Sequence, residues 1–213
     1  SGREPGQIIP VGRGHRGDIV KVCIDPGHSG PCEPGAIFGG YCEYLIVLAI
    51  AEAAAVYLTK AGHQVLMTRT GNIQTDSLAF RTDMANANLC DVFVSIHANS
   101  YSTGQPCGIE TFFFPDSVFG ADLAMVLQKS LLALEYAADR GIKPANFYVL
   151  QYTRMPAALV EAGFLSNEAD RKIITDPDWQ RRIGCAIAQG ILTYWTNLPP
   201  MARYREEPSR RPS

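Results

Sequence analysis

The chain has 213 residues, 46% of them hydrophobic, a formal net charge of -2 and an isoelectric point near 6.1. That length and composition suit one α/β domain with a sizeable core. Lys and Arg form no run on any predicted element, so nucleic-acid binding is excluded, and the longest apolar stretch, Tyr44 to Leu58, is interrupted by Glu52 and too short for a membrane span.

Residues 1–17 are rich in Gly and Arg, lack periodicity, and read as a mobile lead-in; His15 within it reads as solvated. No apolar leader opens the chain, so the sequence reads as a mature or trimmed form or as one not exported by that route. The β-branched run Ile19 to Ile24 predicts a buried strand that stops at Pro26-Gly27 and delivers His28 just past its end. A Gly- and Pro-rich loop, Ser29 to Gly40, leads to a broadly apolar helix over Tyr41 to Ala61, ended by Gly62. His63 falls in a turn before a strand over Gln64 to Thr68, where a structural role is the natural reading.

Asp76 or Ser77 is a candidate cap for a helix reaching Asn88. A second strand, Asp91 to Ile96, ends on His97. The run Ile109 to Phe114 reads as a strand, Val118 to Ala138 as a helix, Asp139 to Asn146 as a loop, Phe147 to Leu150 as a short strand, and Ala157 to Val160 as a central strand. Helices follow to Ile174, capped near Ser166-Asn167, and over Asp178 to Trp195. Residues 18–197 form the predicted domain, and 198–213, rich in Pro and charge, read as a disordered tail. Alternating strands and helices predict an α/β fold: a single domain with a twisted, mostly parallel sheet covered by helices on both faces.

Six cysteines include no C-x-x-C pair, which argues against a zinc ribbon or a thioredoxin-like motif. Cys23 and Cys185 read as buried thiols. Cys32 and Cys42, at the two ends of the Gly-Pro loop, are expected to bridge.

Two strands that each deliver a histidine to one sheet edge predict a metal site, because ligands bind beyond the carboxyl ends of strands in open α/β sheets. A hydrolytic zinc takes three protein ligands and keeps one position open. His28 and His97 supply two. Asp25, Glu33 and Glu43 compete for the third, and Glu43 is favoured because it opens a rigid helix whereas Glu33 lies in a flexible loop. Asp25 fits a role behind the ligands. Glu161 stands in the apolar run Ala157 to Leu165, where an unpaired charge is costly. It is either paired with an arginine such as Arg69 or Arg81, or a general base beside a metal-bound water.

Four segments carry a resemblance: Asp25-Pro26-Gly27-His28, Glu43 at the helix start, Ser95-Ile96-His97-Ala98-Asn99, and Leu159-Val160-Glu161-Ala162-Gly163-Phe164-Leu165-Ser166-Asn167. In order and spacing the chain resembles the zinc-dependent N-acetylmuramoyl-L-alanine amidases of the type-3 class, over about Val20 to Trp195. The resemblance implies that His28, Glu43 and His97 hold Zn2+, that Glu161 is catalytic, and that the bond cut joins N-acetylmuramic acid to L-alanine in peptidoglycan. It implies action outside the cell, in the periplasm or the wall, by an autolysin or a phage endolysin. Ser29 departs from the Gly found in many members. Asn99 and Asn146 are candidates for binding stem peptide or sugar. Rival readings are a zinc exopeptidase or carboxypeptidase on a related fold, and a non-catalytic peptidoglycan-binding module.

Overall fold

A computed structural model describes residues 19–71, 77–103 and 105–199 of the chain. The predicted lead-in, His15, Asp76, and the tail beyond residue 199 lie outside the described residues. Strand β1 (Lys21–Pro26) is followed by a small hairpin, β2 (Ile37–Phe38) and β3 (Tyr41–Cys42), then α1 (Glu43–Lys60), β4 (Gln64–Met67), α2 (Leu78–Ala87) and β5 (Val92–Asn99). The second half holds β6 (Ile109–Phe113), α3 (Val118–Leu132), β7 (Asp139–Pro144), α4 (Tyr148–Gln151), β8 (Ala157–Phe164), α5 (Glu168–Ile174) and α6 (Pro177–Asn197).

Six strands form one sheet in the order β4-β1-β5-β8-β6-β7. All neighbours run parallel except β6 and β8, so the sheet is mostly parallel, as the alternation of elements predicts. The side-chain period of two sorts the central strands between two cores. Val22, Ile24, Val92, Val94, Ile96, Ala158, Val160 and Ala162 pack with α1, α3 and α6. Cys23, Phe93, Ala157 and Leu159 face the other way and pack with Ala85 of α2 and Val149 and Leu150 of α4. This second cover is thin, because α2 has 10 residues and α4 only 4. The odd-numbered series therefore leaves its apolar cover toward the carboxyl ends of β5 and β8, on His97 and Glu161.

Several elements differ from expectation for local reasons. Asp139 to Pro144 is an edge strand and not a loop; pairing with β6 builds it, and an edge accepts both its irregular register and Pro144. Phe147 to Leu150 is no strand but leads into the one-turn helix α4, a distinction that a four-residue apolar run cannot carry by periodicity. Helix α3 stops at Leu132, and Glu135 (φ 55°) takes the left-handed conformation that prevents continuation to Ala138. The predicted loop before α1 contains the β2–β3 hairpin, turned by Gly39 (φ 59°) and Gly40 (φ 82°), the positive φ pair that a two-residue hairpin turn demands. All six cysteines are free thiols, so the expected Cys32–Cys42 bridge is corrected: Cys32 sits in an exposed turn, and the hairpin register places Cys42 opposite Ile37.

Candidate metal centre

Three elements bring their donors to one point. His28 lies beyond the end of β1, Glu43 is the first residue of α1, and His97 is in β5. One donor atom from each lies within 4.8 Å of the others. Glu43 Oε1 is 3.0 Å from His28 Nε2 and 3.0 Å from His97 Nδ1. The carboxylate is fixed by the backbone amides of Ala36, donating to Oε2 at 2.9 Å, and Ala98, donating to Oε1 at 3.0 Å. Burial would raise the Glu43 carboxyl, but the two imidazoles outweigh it and hold Glu43 far below the usual carboxylate range. His28 moves the other way: burial lowers it, and Glu43 and Glu33 together raise it above an ordinary histidine.

Backbone space is as specific as the donors. A Cβ on Gly27 would stand 2.3 Å from His97 Cε1, and one on Gly35 would stand 2.4 Å from His28 Cδ2 and 2.6 Å from Glu43 Oε2. Both glycines let the chain close on the ring and carboxylate edges.

His28 itself has φ 64°, a left-handed conformation that costs a non-glycine residue about 1–3 kcal/mol. Two buried arginines hold it there. Arg69 Nε donates to the carbonyl oxygens of His28 (2.9 Å) and Pro26 (3.2 Å), and its Nη2 to those of Gly27 and Tyr44, both at 2.8 Å. Arg81 Nη1 donates to Asp25 Oδ1 at 2.6 Å and to Pro26 O at 2.8 Å, and its Nη2 to His28 O at 2.5 Å and Ser29 Oγ at 3.2 Å. Asp25, itself buried, also accepts from Thr68 Oγ1 and Ser95 Oγ. It thus stands behind the ligands, anchoring the arginine that grips the loop.

Glu33, the sequence rival of Glu43, sits on the far side of the His28 ring. Its Oε1 is 3.0 Å from His28 Nδ1, and its Oε2 accepts from Ser29 Oγ at 2.9 Å. A carboxylate on the outer ring nitrogen orients a ligating imidazole. Ser29 therefore takes part in this support.

Glu161 stands directly across from His97 in the β5–β8 register and across from Glu110 in the β8–β6 register. Its Oε2 is buried without a hydrogen-bond partner among the described residues. The ion pair with Arg69 or Arg81 is not formed; both guanidinium groups are spent on the His28 loop. Burial first, then the charges of Glu43 and Glu110, push the Glu161 carboxyl well above its ordinary value. His28, His97 and Glu161 line a cleft of about 240 Å³, walled by Leu78, Phe147, Tyr148, Val149 and Leu159. Asn99, a candidate substrate contact, instead donates from Nδ2 to Glu110 Oε1 at 2.8 Å and accepts from Ser100 N. Asn146 is exposed next to the cleft residue Phe147. His63 accepts from Val20 N through Nδ1, a structural contact. Sequence reasoning missed the double-arginine clamp and the buried Glu110; the available signal was a charge set among residues that periodicity marks as core.

Two nitrogens and a carboxylate oxygen are the donor set of a catalytic zinc. With an unpaired carboxylate beside them on a cleft, they make a potential metal site of the kind that metal-assisted hydrolases use. The family model described as N-acetylmuramoyl-L-alanine amidase matches residues 22–193. A sporulation-specific N-acetylmuramoyl-L-alanine amidase of Bacillus subtilis is 36% identical over 179 residues, covering 81% of this chain and 67% of that protein. An uncharacterized cell wall amidase of Bacillus anthracis is 36% identical over 193 residues, 82% of this chain but 35% of its own length, so the chain spans about a third of that relative. The crystal structure of N-acetylmuramoyl-L-alanine amidase from Clostridium difficile 630 superposes with a TM-score of 0.79 at 34% identity, covering 84% of this chain and 98% of that one. The chain belongs to the N-acetylmuramoyl-L-alanine amidase family.

Proposed function

We propose that this chain hydrolyses the amide bond between N-acetylmuramic acid and L-alanine in peptidoglycan, using Zn2+ held by His28, Glu43 and His97 with Glu161 as the catalytic acid–base. One observation carries the reading: the unpartnered Glu161 carboxylate lies one strand away from His97 in a cleft lined by both histidines, on which Glu43 converges. His28, Glu43 and His97 would hold Zn2+, which when bound would supply a Lewis acid and an activated water with a pKa of about 7.

The remaining work falls to the chain. His28 stays oriented because Glu33 and the arginine clamp fix its ring and its loop. Ionised Glu161 takes a proton from the attacking water and, now the neutral acid, passes it to the leaving nitrogen of L-alanine. The burial that pushes its carboxyl up serves the second half, because it favours the neutral acid that holds the proton. Leu159 and Val149 keep the surroundings of that proton apolar.

Place of action follows from the substrate: the wall, outside the cytoplasmic membrane. No helix among the described residues is long and apolar enough to cross a membrane.

Glu161→Gln tests the assignment. Zinc content stays near one per chain, while turnover of purified peptidoglycan falls at least about a hundredfold, the lower range for losing a general acid–base. His28→Ala, in contrast, loses zinc first. Full activity in the glutamine variant overturns the role of Glu161. Product mass separates the exopeptidase alternative, because the amidase releases an intact stem peptide beginning with L-alanine.

A further inference from the structure

The line of side chains that begins at the metal cradle does not stop at Glu161. In register across adjacent strands stand His97 on β5, Glu161 on β8 and Glu110 on β6, all on the face covered thinly by α2 and α4. Beyond Glu110 lies the edge strand β7, which brings two cations. Arg140 Nε donates to Glu110 Oε2 at 2.7 Å, and Lys143 Nζ donates to the same oxygen at 2.5 Å. Glu110 is buried, whereas the side chains of Arg140 and Lys143 are 33% and 40% exposed.

Two cations on one buried carboxylate leave a net positive charge at the surface. Among the described residues, neither Asp139 nor Asp170 forms an ion pair with either cation. Asp139 is engaged by Gln128 Nε2 and the Gly141 amide, and Asp170 by the amides of Gly108 and Phe164. Arg140 stacks over the Phe164 ring at 4.9 Å, which steadies the guanidinium plane, and its Nη1 reaches only the Cys107 carbonyl, at 3.4 Å. Its Nη2 makes no hydrogen bond among the described residues, and Lys143 Nζ makes one. Both cations therefore retain donors for an anion.

We propose that Arg140 and Lys143 form a carboxylate subsite for the second residue of the peptide that leaves. The inference rests on the amidase reading, which sets the direction of the substrate. The scissile carbonyl belongs at the metal cradle and the leaving nitrogen at Glu161, so the axis from carbonyl to nitrogen points along the row toward Glu110. Strands are spaced by about 4.8 Å and both cationic groups reach back to Glu110, which pairs with Glu161, so they lie between one and two strand spacings from Glu161, roughly 5–10 Å. An extended peptide covers about 3.4 Å per residue, so the α-carboxylate of the second residue falls within reach of the long Arg and Lys side chains. In a stem peptide this carboxylate is free when the second residue is D-glutamate linked through its γ-carboxyl, and is a neutral carboxamide when the residue is D-isoglutamine.

The test uses the whole chain with zinc and two synthetic substrates, N-acetylmuramoyl-L-Ala-D-Glu-L-Lys and N-acetylmuramoyl-L-Ala-D-isoGln-L-Lys, both closed by a C-terminal amide. Charge-assisted hydrogen bonds predict a KM about tenfold lower for the carboxylate substrate, with kcat changed far less. Lys143→Gln and Arg140→Gln bring the ratio of the two KM values toward one, while Lys143→Arg keeps it. Loss of binding that is equal for both substrates, with the ratio intact, marks a structural role and overturns the subsite. If a variant does not fold, the unsubstituted protein still decides: its KM ratio shrinks with rising salt if the subsite exists. Equal KM values for the two substrates overturn the subsite at once. Cleavage of neither, by a protein that binds zinc, overturns the amidase reading instead.

Discussion

Arg81→Met is the sharpest probe of the scaffold behind the metal centre. It removes a buried guanidinium that makes four hydrogen bonds, to Asp25 Oδ1, Pro26 O, His28 O and Ser29 Oγ. Asp25 is 1% exposed and, among the described residues, keeps only the Thr68 and Ser95 hydroxyls as hydrogen-bond partners once Arg81 is gone. Stranding one charge of a buried pair costs about 3–5 kcal/mol. For a domain of this size that lowers Tm by roughly 6–20 °C. The loop also loses one of the two arginines that hold His28 at φ 64°, so zinc affinity falls by about 10- to 100-fold, the range seen for supporting contacts. Denaturant unfolding gives the stability, and competition with a chelator of known affinity gives the zinc constant. Asp25→Asn combined with Arg81→Met removes both charges and recovers at least about 1 kcal/mol relative to adding the two single losses. A Tm within 2 °C of the unsubstituted protein (about the shift produced by 1 kcal/mol), or a double variant with no recovery, refutes the reasoning.

Gly27→Ala places a Cβ 2.3 Å from His97 Cε1, so the ring must move; zinc affinity drops at least about tenfold by the same supporting-contact range, whereas Gly71→Ala, with open space at its Cβ, binds zinc normally. Equal zinc constants for the two variants refute this. Glu110 gives a pH-dependent stability. Burial would raise its carboxyl, but the hydrogen bonds and charges of Lys143 and Arg140 outweigh burial and hold it below the usual range. The native state therefore binds fewer protons there than the unfolded chain. Its stabilising contribution is complete above the ordinary carboxyl pKa of about 4.3 and is lost as pH falls through the lowered native value. The Tm gap between the unsubstituted protein and Glu110→Gln is widest near neutrality and narrows on acidification; a gap constant down to pH of about 2 counts against it.

Much of the fold was legible because the buried parallel strands announce themselves. Ile19 to Ile24, Asp91 to Ile96 and Ala157 to Val160 are short β-branched or small apolar runs with clear stops, and each is a central strand. Helices α1 and α6 were readable for the same reason, long apolar faces, although the structure starts α6 at Pro177 with Asp176 as its N-cap, just before the expected Asp178. The edge strand β7 was not. Its residues carry no strand pattern of their own, and its conformation comes from pairing with β6. Glu161 shows the same division inside one residue. A carboxylate in an apolar run was visible as a functional candidate, but whether an arginine paired with it depended on where Arg69 and Arg81 went.

The sequence by itself therefore determined the class of fold, the strand ends that carry His28 and His97, and the unusual position of Glu161, because periodicity and the cost of burying charge are local properties of the chain. Only the tertiary structure decided that Glu43 and not Glu33 faces both imidazoles, that two arginines clamp the His28 loop, and that Arg140 and Lys143 extend the row beyond Glu110. Those facts depend on residues far apart in the chain meeting across strands, and the strand order and register that bring them together are set by the packing of the whole sheet.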